Sequence, residues 1–400
     1  MRVTLAALAA CLAFPALAQP AALPDTTEGI HLGLVFNYKI KDFESEKGKI
    51  DIVWGAEKPS PPGVYNMAYY PFDRDRDGGI GGASHDYAWF RQNHPEWISY
   101  ACDKTTPAWE FNKDNPERYV PLDISNPAVL QYMLDQYLGP YLQKGYNAVA
   151  FDNVSFANTF KRCGVWRGGQ WVRQFSGEER NDPAYVQSVL QWAEWLHPRV
   201  RALGGAVAVN FSYDFRARNF AGDATRLLQD VDIVLDEGGS VDIGGGTGTK
   251  SEADWLTNTK FENDLDRIGK ALIVVNYIRT PHYTYNNMDV HAALNWSVAN
   301  YLLIKGKHSF LAVGESKDVG SQVDHPELHL PVGHPLSTVY KSGEVYARDY
   351  SNAKVFVNPS TASVAKADLG GGKWCDADGR PLSQLAVAPQ AGEIVLKCRN

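Results

Sequence analysis

Short apolar runs, rich in β-branched residues, alternate with longer helical stretches through most of this 400-residue chain. Several runs show no polar alternation, which is typical of parallel strands covered by helices. Strands alternating with helices over roughly 300 residues predict a (β/α)₈ TIM barrel in the α/β class. The predicted strands are Leu32–Tyr38, Ile50–Trp54, Asn66–Tyr70, Ile98–Cys102, Ala148–Asp152, Ala206–Phe211, Ile233–Asp236, Leu272–Tyr277 and Ser309–Val313.

The helical stretches have clear start and stop signals. They are predicted from Asp123 to Lys144 and over Pro183–Leu203, Asp254–Gly269 and Val290–Lys305. The alternative is a doubly wound sheet, which would need a phosphate-binding glycine turn after an early strand, and the sequence has none there. The glycine cluster at residues 244–249 lacks the lysine of a P-loop, and we expect it to be a flexible loop over the site.

From about Val339 onward the pattern changes to short strands separated by Gly, Pro, Asn and Asp turns. This pattern predicts a small C-terminal antiparallel β-sandwich domain. We therefore expect a TIM-barrel catalytic domain over residues 28–335 and a sandwich domain over residues 336–400.

The first 18 residues have the features of a signal peptide. Arg2 supplies the positive charge, an apolar stretch follows, and Ala16 and Ala18 are the small residues of a cleavage site after Ala18. A lipoprotein acylated at Cys11 is the alternative. No later stretch is apolar for long enough to span a bilayer, so the mature protein is expected to be secreted or periplasmic.

Four cysteines remain after cleavage, and an even number in an oxidising compartment favours disulfides over a zinc site. Their positions along the chain suggest the pairs Cys102–Cys163 and Cys375–Cys398. The formal net charge of −7 argues against nucleic acid and anionic membranes as partners. The sequence leaves the oligomeric state open.

Two apolar strands run directly into acidic residues: one ends at Asp152, and the other at the pair Asp236-Glu237. Catalytic groups of TIM barrels lie at the carboxyl ends of strands, and these would be the fourth and sixth. Glycoside hydrolysis uses two carboxyl groups, one on each side of the scissile bond. An aspartate after a strand can also simply cap a helix, and the sequence leaves open which member of the pair faces the pocket.

Other polar and aromatic residues near strand ends are candidates for sugar binding, because amides and phenols hydrogen-bond to hydroxyl groups and indoles stack on sugar rings. Hydrogen-bonded polar groups of the core are the alternative. The candidates are Asn37, Tyr38, Tyr100, Asp103, Trp109, Asp123, Asn153, Asn210, Asp236, Asn276 and Tyr277.

The segment Asp73–Gly78 matches the first half of a calcium-binding loop, with oxygens from Asp73, Asp75 and Asp77. Ser84 replaces the glutamate that would complete an EF-hand. A structural calcium held with help from distant oxygens is one interpretation, and a solvated loop with balanced charges is the other. No cofactor is required by the predicted chemistry.

Four segments together resemble a group of TIM-barrel glycoside hydrolases related to α-galactosidases and endo-α-1,4-polygalactosaminidases. They begin at His94, Pro121, Gly145 and Val231, and the segment 346–359 resembles the β-sandwich that follows such barrels. The resemblance covers about residues 30–400 and implies a retaining enzyme with Asp152 as nucleophile and Glu237 as acid/base. The lysine usual two residues before the nucleophile is Ala150 here.

The sequence therefore predicts an exported glycoside hydrolase that acts on a poly- or oligosaccharide. Two alternatives from other classes remain. One is a glycan-binding protein on a barrel without activity, and the other is a deacetylase, which would need a cluster of metal ligands that the sequence does not reveal.

Overall fold

The computed structural model describes residues 19–36, 48–59, 62–76, 85–109, 119–180, 182–211, 221–241, 251–278, 290–314 and 325–398. The strands, in chain order, are β1 (Gly33–Val35), β2 (Ile52–Trp54), β3 (Tyr65–Pro71), β4 (Arg74–Arg76), β5 (Tyr119–Pro121), β6 (Ala148–Asp152), β7 (Gly164–Arg167), β8 (Gln170–Arg173), β9 (Ala206–Asn210), β10 (Ile233–Glu237), β11 (Ala271–Tyr277), β12 (Ser309–Gly314), β13 (Tyr340–Ser342), β14 (Val345–Asp349), β15 (Ala353–Asn358), β16 (Ala365–Ala367), β17 (Trp374–Cys375), β18 (Pro381–Leu382), β19 (Leu385–Val387) and β20 (Ala391–Lys397).

The helices are α1 (Tyr87–Asn93), α2 (Pro127–Met133), α3 (Gly139–Gln143), α4 (Pro183–Ala202), α5 (Ala221–Leu227), α6 (Glu252–Arg267) and α7 (Val290–Ile304). A π-helical turn over Leu134–Leu138 joins α2 to α3, so the predicted helix after Asp123 is continuous to Gln143. Asn126 and Asp182 cap α2 and α4 with their side chains, and proline is the first residue of both helices.

Eight parallel strands form one sheet in the order β1-β2-β3-β6-β9-β10-β11-β12. A bridge between Leu32 and Leu311 brings the two edges of the sheet together, and the Leu311 amide donates to the His31 carbonyl at 2.9 Å. The fold is therefore a nearly closed barrel, and the prediction of a TIM-barrel sheet is confirmed.

One of the predicted strands, Ile98–Cys102, is wrong. This run lies in the long connection between β3 and β6, where Ile98 makes a bridge to Leu122 and Tyr100 makes bridges to Pro107 and Gly164. An apolar run indicates burial but does not show which strand it pairs with, and Ile98, Ser99 and Tyr100 are buried outside the barrel sheet. Asp152 consequently ends the fourth barrel strand, and Glu237 ends the sixth.

Side chains in the barrel follow the two-residue period of β-structure, so one set faces the interior and the other faces the helices. The interior set forms a separate core cluster that contains mostly small residues on β6, β9 and β12 and larger residues elsewhere. Its members include Ile52, Trp54, Tyr65, Met67, Ala148, Ala150, Ala206, Ala208, Ile233, Leu235, Ala271, Ile273, Val275, Tyr277, Phe310 and Ala312. The opposite set packs against the helices in the main core.

The C-terminal part of the chain forms an antiparallel sheet of six strands, ordered β13-β14-β15-β20-β17-β18, and a two-stranded pair, β16-β19. It packs closely on α7: a Cβ atom added at Gly392 would lie 2.5 Å from the Cβ atom of Ala299. Arg348 and Tyr350 also donate to the Leu302 carbonyl near the end of α7. The prediction of a C-terminal antiparallel sheet domain is thus confirmed.

Both predicted disulfides are formed, Cys102–Cys163 and Cys375–Cys398. The first joins the β3–β6 connection to the segment that follows β6. The second fastens β17 to the end of β20. In the described part of the chain, no helix has the length and hydropathy needed to cross a membrane.

Candidate active site

Asp152 and Glu237 occupy the last positions of β6 and β10, at the carboxyl edge of the barrel sheet. Ala148 and Ala150 precede Asp152 on the interior face, and Leu235 precedes Glu237 on that face. Because side chains two residues apart point the same way, both carboxyl groups face the mouth of the barrel. The two predicted catalytic residues are therefore brought together.

Asn210, at the end of β9, lies between the two acids. Its Nδ2 atom donates to Asp152 Oδ1 at 2.8 Å and to Glu237 Oε2 at 2.8 Å. Strand β9 pairs with β6 on one side and with β10 on the other, which is why its terminal side chain reaches both acids. One amide group thus fixes the relative position of the two carboxyl groups.

Further donors orient the remaining oxygens. Tyr69 on β3 donates its hydroxyl to Asp152 Oδ2 at 3.0 Å, and Tyr277 on β11 donates to Glu237 Oε1 at 3.1 Å. Asn153 donates to Asp152 twice, from its backbone N–H at 2.9 Å and from Nδ2 at 3.2 Å. Each acid therefore accepts hydrogen bonds from side chains of both neighbouring barrel strands. Asp152 also accepts from Asn153, the residue that follows it.

The environment changes the ionisation of Asp152. Burial and the nearby charge of Glu237 raise the pKa of Asp152, while the hydrogen bonds from Asn210 and Tyr69 and the charge of Arg74 lower it. Burial disfavours a charged group, and a like charge nearby adds to that effect. The raising effects dominate, so Asp152 takes up a proton at a higher pH than an ordinary aspartate.

A cavity of about 320 Å³ opens beside these residues. Its walls combine hydrogen-bonding groups with apolar surface, as expected of a small-molecule site. The lining residues are Asp73, Asn153, Val154, Ser155, Ala157, Thr159, Phe160, Tyr185, Asn210 and Glu237.

Tyr69 was not among the residues singled out from the sequence. Its position on β3 could have identified it, because it lies on the interior face two residues after Met67 and near the carboxyl end of the strand. Phe36 packs on Tyr69 with ring centroids 5.6 Å apart, and Gly55 accommodates that contact. Gly55 has φ +67°, and a Cβ atom there would lie 2.5 Å from the Phe36 ring.

Asp236 and Asn276 belong to the other face of the sheet. Asp236 alternates with the interior residues Leu235 and Glu237, and Asn276 follows Val274, which packs against the helices. Both side chains are buried, and Asn276 Oδ1 accepts a hydrogen bond from the Ser240 amide at 3.0 Å. The structure does not bring these two candidates to the barrel mouth.

Four other candidates lie in the β3–β6 connection and make local contacts there. Exposed Asp103 accepts hydrogen bonds from Thr106, whose side chain contributes most to lowering the pKa of Asp103 to about 2. Asp123 is buried and accepts from Arg167 at 3.0 Å and from Gln174 at 2.9 Å. The remaining two are Tyr100, which is buried and bridged to Gly164, and Trp109, which packs edge-on against Tyr87.

The calcium hypothesis receives no geometric support from the described residues. Asp73 is paired with Arg74 at 3.0 Å and with Arg162 at 2.7 Å, and two adjacent positive charges oppose a bound cation. Asp75 is buried and accepts from the hydroxyls of Tyr132 and Tyr137. No group of three His, Cys, Asp or Glu side chains suited to a metal occurs in the described ranges.

Some predictions fall outside the described residues. These are the signal peptide at residues 1–18, the candidate residues Asn37, Tyr38 and Asp77, and the glycine cluster at residues 244–249.

Comparison with known proteins gives similarity at the level of structure only. No family model and no curated protein sequence matches the chain. A noncanonic maltogenic α-amylase from Thermotoga neapolitana aligns over 93% of this chain and 99% of its own, with TM-score 0.50 and 11% identity. An α-amylase from Malbranchea cinnamomea aligns over 89% and 88%, with TM-score 0.48 and 11% identity.

An α-galactosidase of family GH36 from Geobacillus stearothermophilus covers 94% of this chain and 56% of its own, with TM-score 0.42 and 9% identity. At such identities the comparison with the Thermotoga enzyme shows a shared barrel fold. The barrel fold predicted from the sequence is thereby supported.

Proposed function

We propose that this protein is a retaining glycoside hydrolase that cleaves a poly- or oligosaccharide. Asp152 attacks the anomeric carbon, and the bond to the leaving oxygen breaks as Glu237 gives that oxygen its proton. Glu237 then takes a proton from water, and the resulting oxygen nucleophile displaces Asp152 to release the sugar. The enzyme returns to its starting state, and the net reaction consumes one water molecule.

The bridging amide of Asn210 is the observation that carries this proposal. Because one nitrogen lies 2.8 Å from each of two oxygens, Asp152 Oδ1 and Glu237 Oε2 are at most about 5.6 Å apart. Carboxyl groups about 5–5.5 Å apart are typical of retaining glycosidases, whereas inverting enzymes need about 6.5–9.5 Å. The separation therefore favours retention.

The hydrogen bonds favour Asp152 as the nucleophile and Glu237 as the acid/base. Asp152 accepts from Tyr69, Asn210 and Asn153, and donors of this kind stabilise a carboxylate over a carboxylic acid. Glu237 is held by Asn210 and Tyr277 and lines the cavity, where a leaving oxygen would be accessible.

We further propose that the enzyme is exported after cleavage at Ala18, that residues 28–335 form the catalytic domain, and that residues 336–400 form a β-sandwich domain. The two disulfides support an oxidising compartment. Mass spectrometry of the mature N-terminus from the native host would test the cleavage site, and Gln19 is the expected first residue.

A panel of polysaccharides tests the activity, beginning with α-linked glucans because the structurally similar Thermotoga protein is an α-amylase. Asp152→Asn and Glu237→Gln should each abolish product release. Asp103→Asn is the matched control, since Asp103 lies on an exposed turn, and it should retain activity. Activity that persists in both site variants would refute the assignment.

The stereochemistry is tested separately by NMR of the first-formed product. Retention of the anomeric configuration is expected, and labelling with a 2-deoxy-2-fluoroglycoside of the cleaved sugar should attach that sugar to Asp152. If the wild-type protein binds a glycan saturably but releases no product, it is a binding protein instead.

A further inference from the structure

Tyr185 is a buried residue that lines the cavity beside Glu237. Within the described part of the chain its hydroxyl makes no hydrogen bond, although a buried polar group normally has a partner. The hydroxyls of Tyr65 and Tyr70 also have no partner, but they are completely enclosed, whereas that of Tyr185 is not. The Tyr185 hydroxyl therefore opens onto the cavity.

The surroundings of Tyr185 fix its position. It lies in the first turn of α4, where its backbone amide donates to the capping side chain of Asp182 at 3.3 Å. Its ring packs edge-on against Phe175, with ring centroids 5.5 Å apart. Because α4 follows β6 along the chain, this turn lies at the edge of the barrel where β6 ends. A ligand would meet a hydroxyl that is already in place, which reduces the entropy cost of binding.

The cavity has the chemistry needed to hold a sugar. Burial raises the pKa of Tyr185, so its hydroxyl stays protonated and can both donate and accept a hydrogen bond. A sugar hydroxyl has the same two capacities. Val154, Ala157 and Phe160 add apolar surface to the same cavity, which suits the C–H groups of a sugar ring.

The lining of the cavity indicates which side of the scissile bond it serves. Among the described residues, Glu237 and Asn210 line it, whereas Asp152 does not. In a retaining glycosidase the nucleophile attacks the anomeric carbon and the acid/base protonates the leaving oxygen. A cavity that contacts the acid/base but not the nucleophile therefore lies on the side of the leaving group.

We propose that Tyr185 determines specificity for the leaving group, by hydrogen bonding to a hydroxyl of the sugar that departs when the glycosidic bond breaks. This inference rests on the proposed hydrolase function and assigns the cavity to one part of the substrate. The alternative is a purely structural role near the charges of Arg162 and Asp73, which act on the same hydroxyl. A structural role would affect every substrate alike.

Tyr185→Phe tests the proposal with two substrates that share the same cleaved sugar. One is the oligosaccharide found by the panel, and the other is the glycosyl fluoride of that sugar, whose leaving group has no hydroxyl. For the oligosaccharide, kcat/KM should fall about tenfold, which is the typical contribution of one neutral hydrogen bond. For the glycosyl fluoride, kcat/KM should stay within about twofold of the wild type.

Tyr65→Phe is the matched control. The Tyr65 hydroxyl is also buried and without a partner, but Tyr65 is the first residue of β3 and lies at the opposite edge of the barrel from the acids. This variant should keep kcat/KM within about twofold of the wild type on both substrates. Equal losses on both substrates in Tyr185→Phe, or no loss on either, would overturn the inference.

A binding measurement without turnover separates this inference from the proposed function. Saturation-transfer NMR with glucose, galactose and maltose as probes compares the wild type with Tyr185→Phe, and binding of at least one sugar should weaken about tenfold. Equal binding by both proteins, or no binding by the wild type, would contradict the role of Tyr185. A wild type that binds a sugar through Tyr185 but cleaves no glycoside would refute the hydrolase function alone.

Discussion

Replacing Asn210 by alanine removes a group that contacts both candidate catalytic acids. The lost amide makes two hydrogen bonds of 2.8 Å to carboxylates in a half-buried setting. A hydrogen bond to a charged group contributes about 1.5–3 kcal/mol, and the two are not additive because they come from one nitrogen. A total loss of about 3 kcal/mol corresponds to roughly a 100-fold decrease in kcat/KM.

The substitution should also change the pH dependence. Hydrogen bonding from Asn210 lowers the pKa of Asp152, whereas burial and the charge of Glu237 raise it. Without Asn210, the two raising effects meet less opposition. The pKa of Asp152 should rise further, and the acid limb of kcat/KM should move to higher pH. Steady-state kinetics from acidic to neutral pH on the substrate found by the panel would measure both effects.

Asn263→Ala is a suitable control, because within the described part of the chain the Asn263 amide bonds only to the Thr259 carbonyl of α6 and lies outside the barrel mouth. It should leave kcat/KM within about twofold of the wild type. If folded Asn210→Ala kept kcat/KM within threefold of the wild type and an unchanged acid limb, the bridging amide would have no catalytic importance.

Three further predictions concern the site and the C-terminal sheet. Tyr69→Phe removes a donor that lowers the pKa of Asp152, so the acid limb of the pH–rate profile should move to higher pH. Asp152→Asn should raise the free energy of unfolding in urea at pH 7. Folding raises the pKa of Asp152, so at a pH where the unfolded chain ionises this residue, its charge destabilises the folded protein. The gain in stability should vanish below about pH 4, and a gain independent of pH would contradict this. Replacing Cys375 and Cys398 by serine removes a disulfide between residues 23 apart in the sequence. The free energy of unfolding of the C-terminal sheet in urea should fall by about 3 kcal/mol, and an unchanged transition would contradict the entropic estimate.

The strands that carry the candidate acids could be predicted well because the local signal was strong. The run ending at Asp152 is strictly apolar and followed by a polar turn, and the structure has the same bounds for β6. The alternation of alanine with larger residues in β6 and β9 also indicates which face is interior, because the crowded interior takes the small side chains. That alternation places Asp152 and Asn210 on the same face.

The choice between Asp236 and Glu237 could not be made in this way. Strand β10 has large aliphatic residues on both faces, with Ile233 and Leu235 inside and Val234 outside, so its own sequence does not mark the interior. The orientation follows from its pairing with β9, in which Leu235 lies opposite Asn210. Register between strands is a tertiary property, and one strand's pattern does not encode it.

The candidates outside the site show the limit of reasoning from polarity near strand ends. Asp103 and Asp123 follow or precede apolar segments as Asp152 does, yet their carboxylates bond to nearby threonines or to Arg167 and Gln174. The carboxylate oxygens that would act in a catalytic site can equally accept the hydrogen bonds of a turn. What distinguishes Asp152 is a second acid at hydrogen-bonding distance from a shared donor, which only the closed sheet creates.

The closure of the sheet brings the two acids close together, although no cluster of metal ligands surrounds them in the described residues. Two adjacent carboxylates repel each other, and burial strengthens that repulsion. Here the neutral donors Asn210, Tyr69 and Tyr277 hydrogen-bond to all four carboxylate oxygens between them. A pair arranged in this way can hold one proton and one negative charge, which is the state that a retaining acid–nucleophile pair must adopt before each turnover.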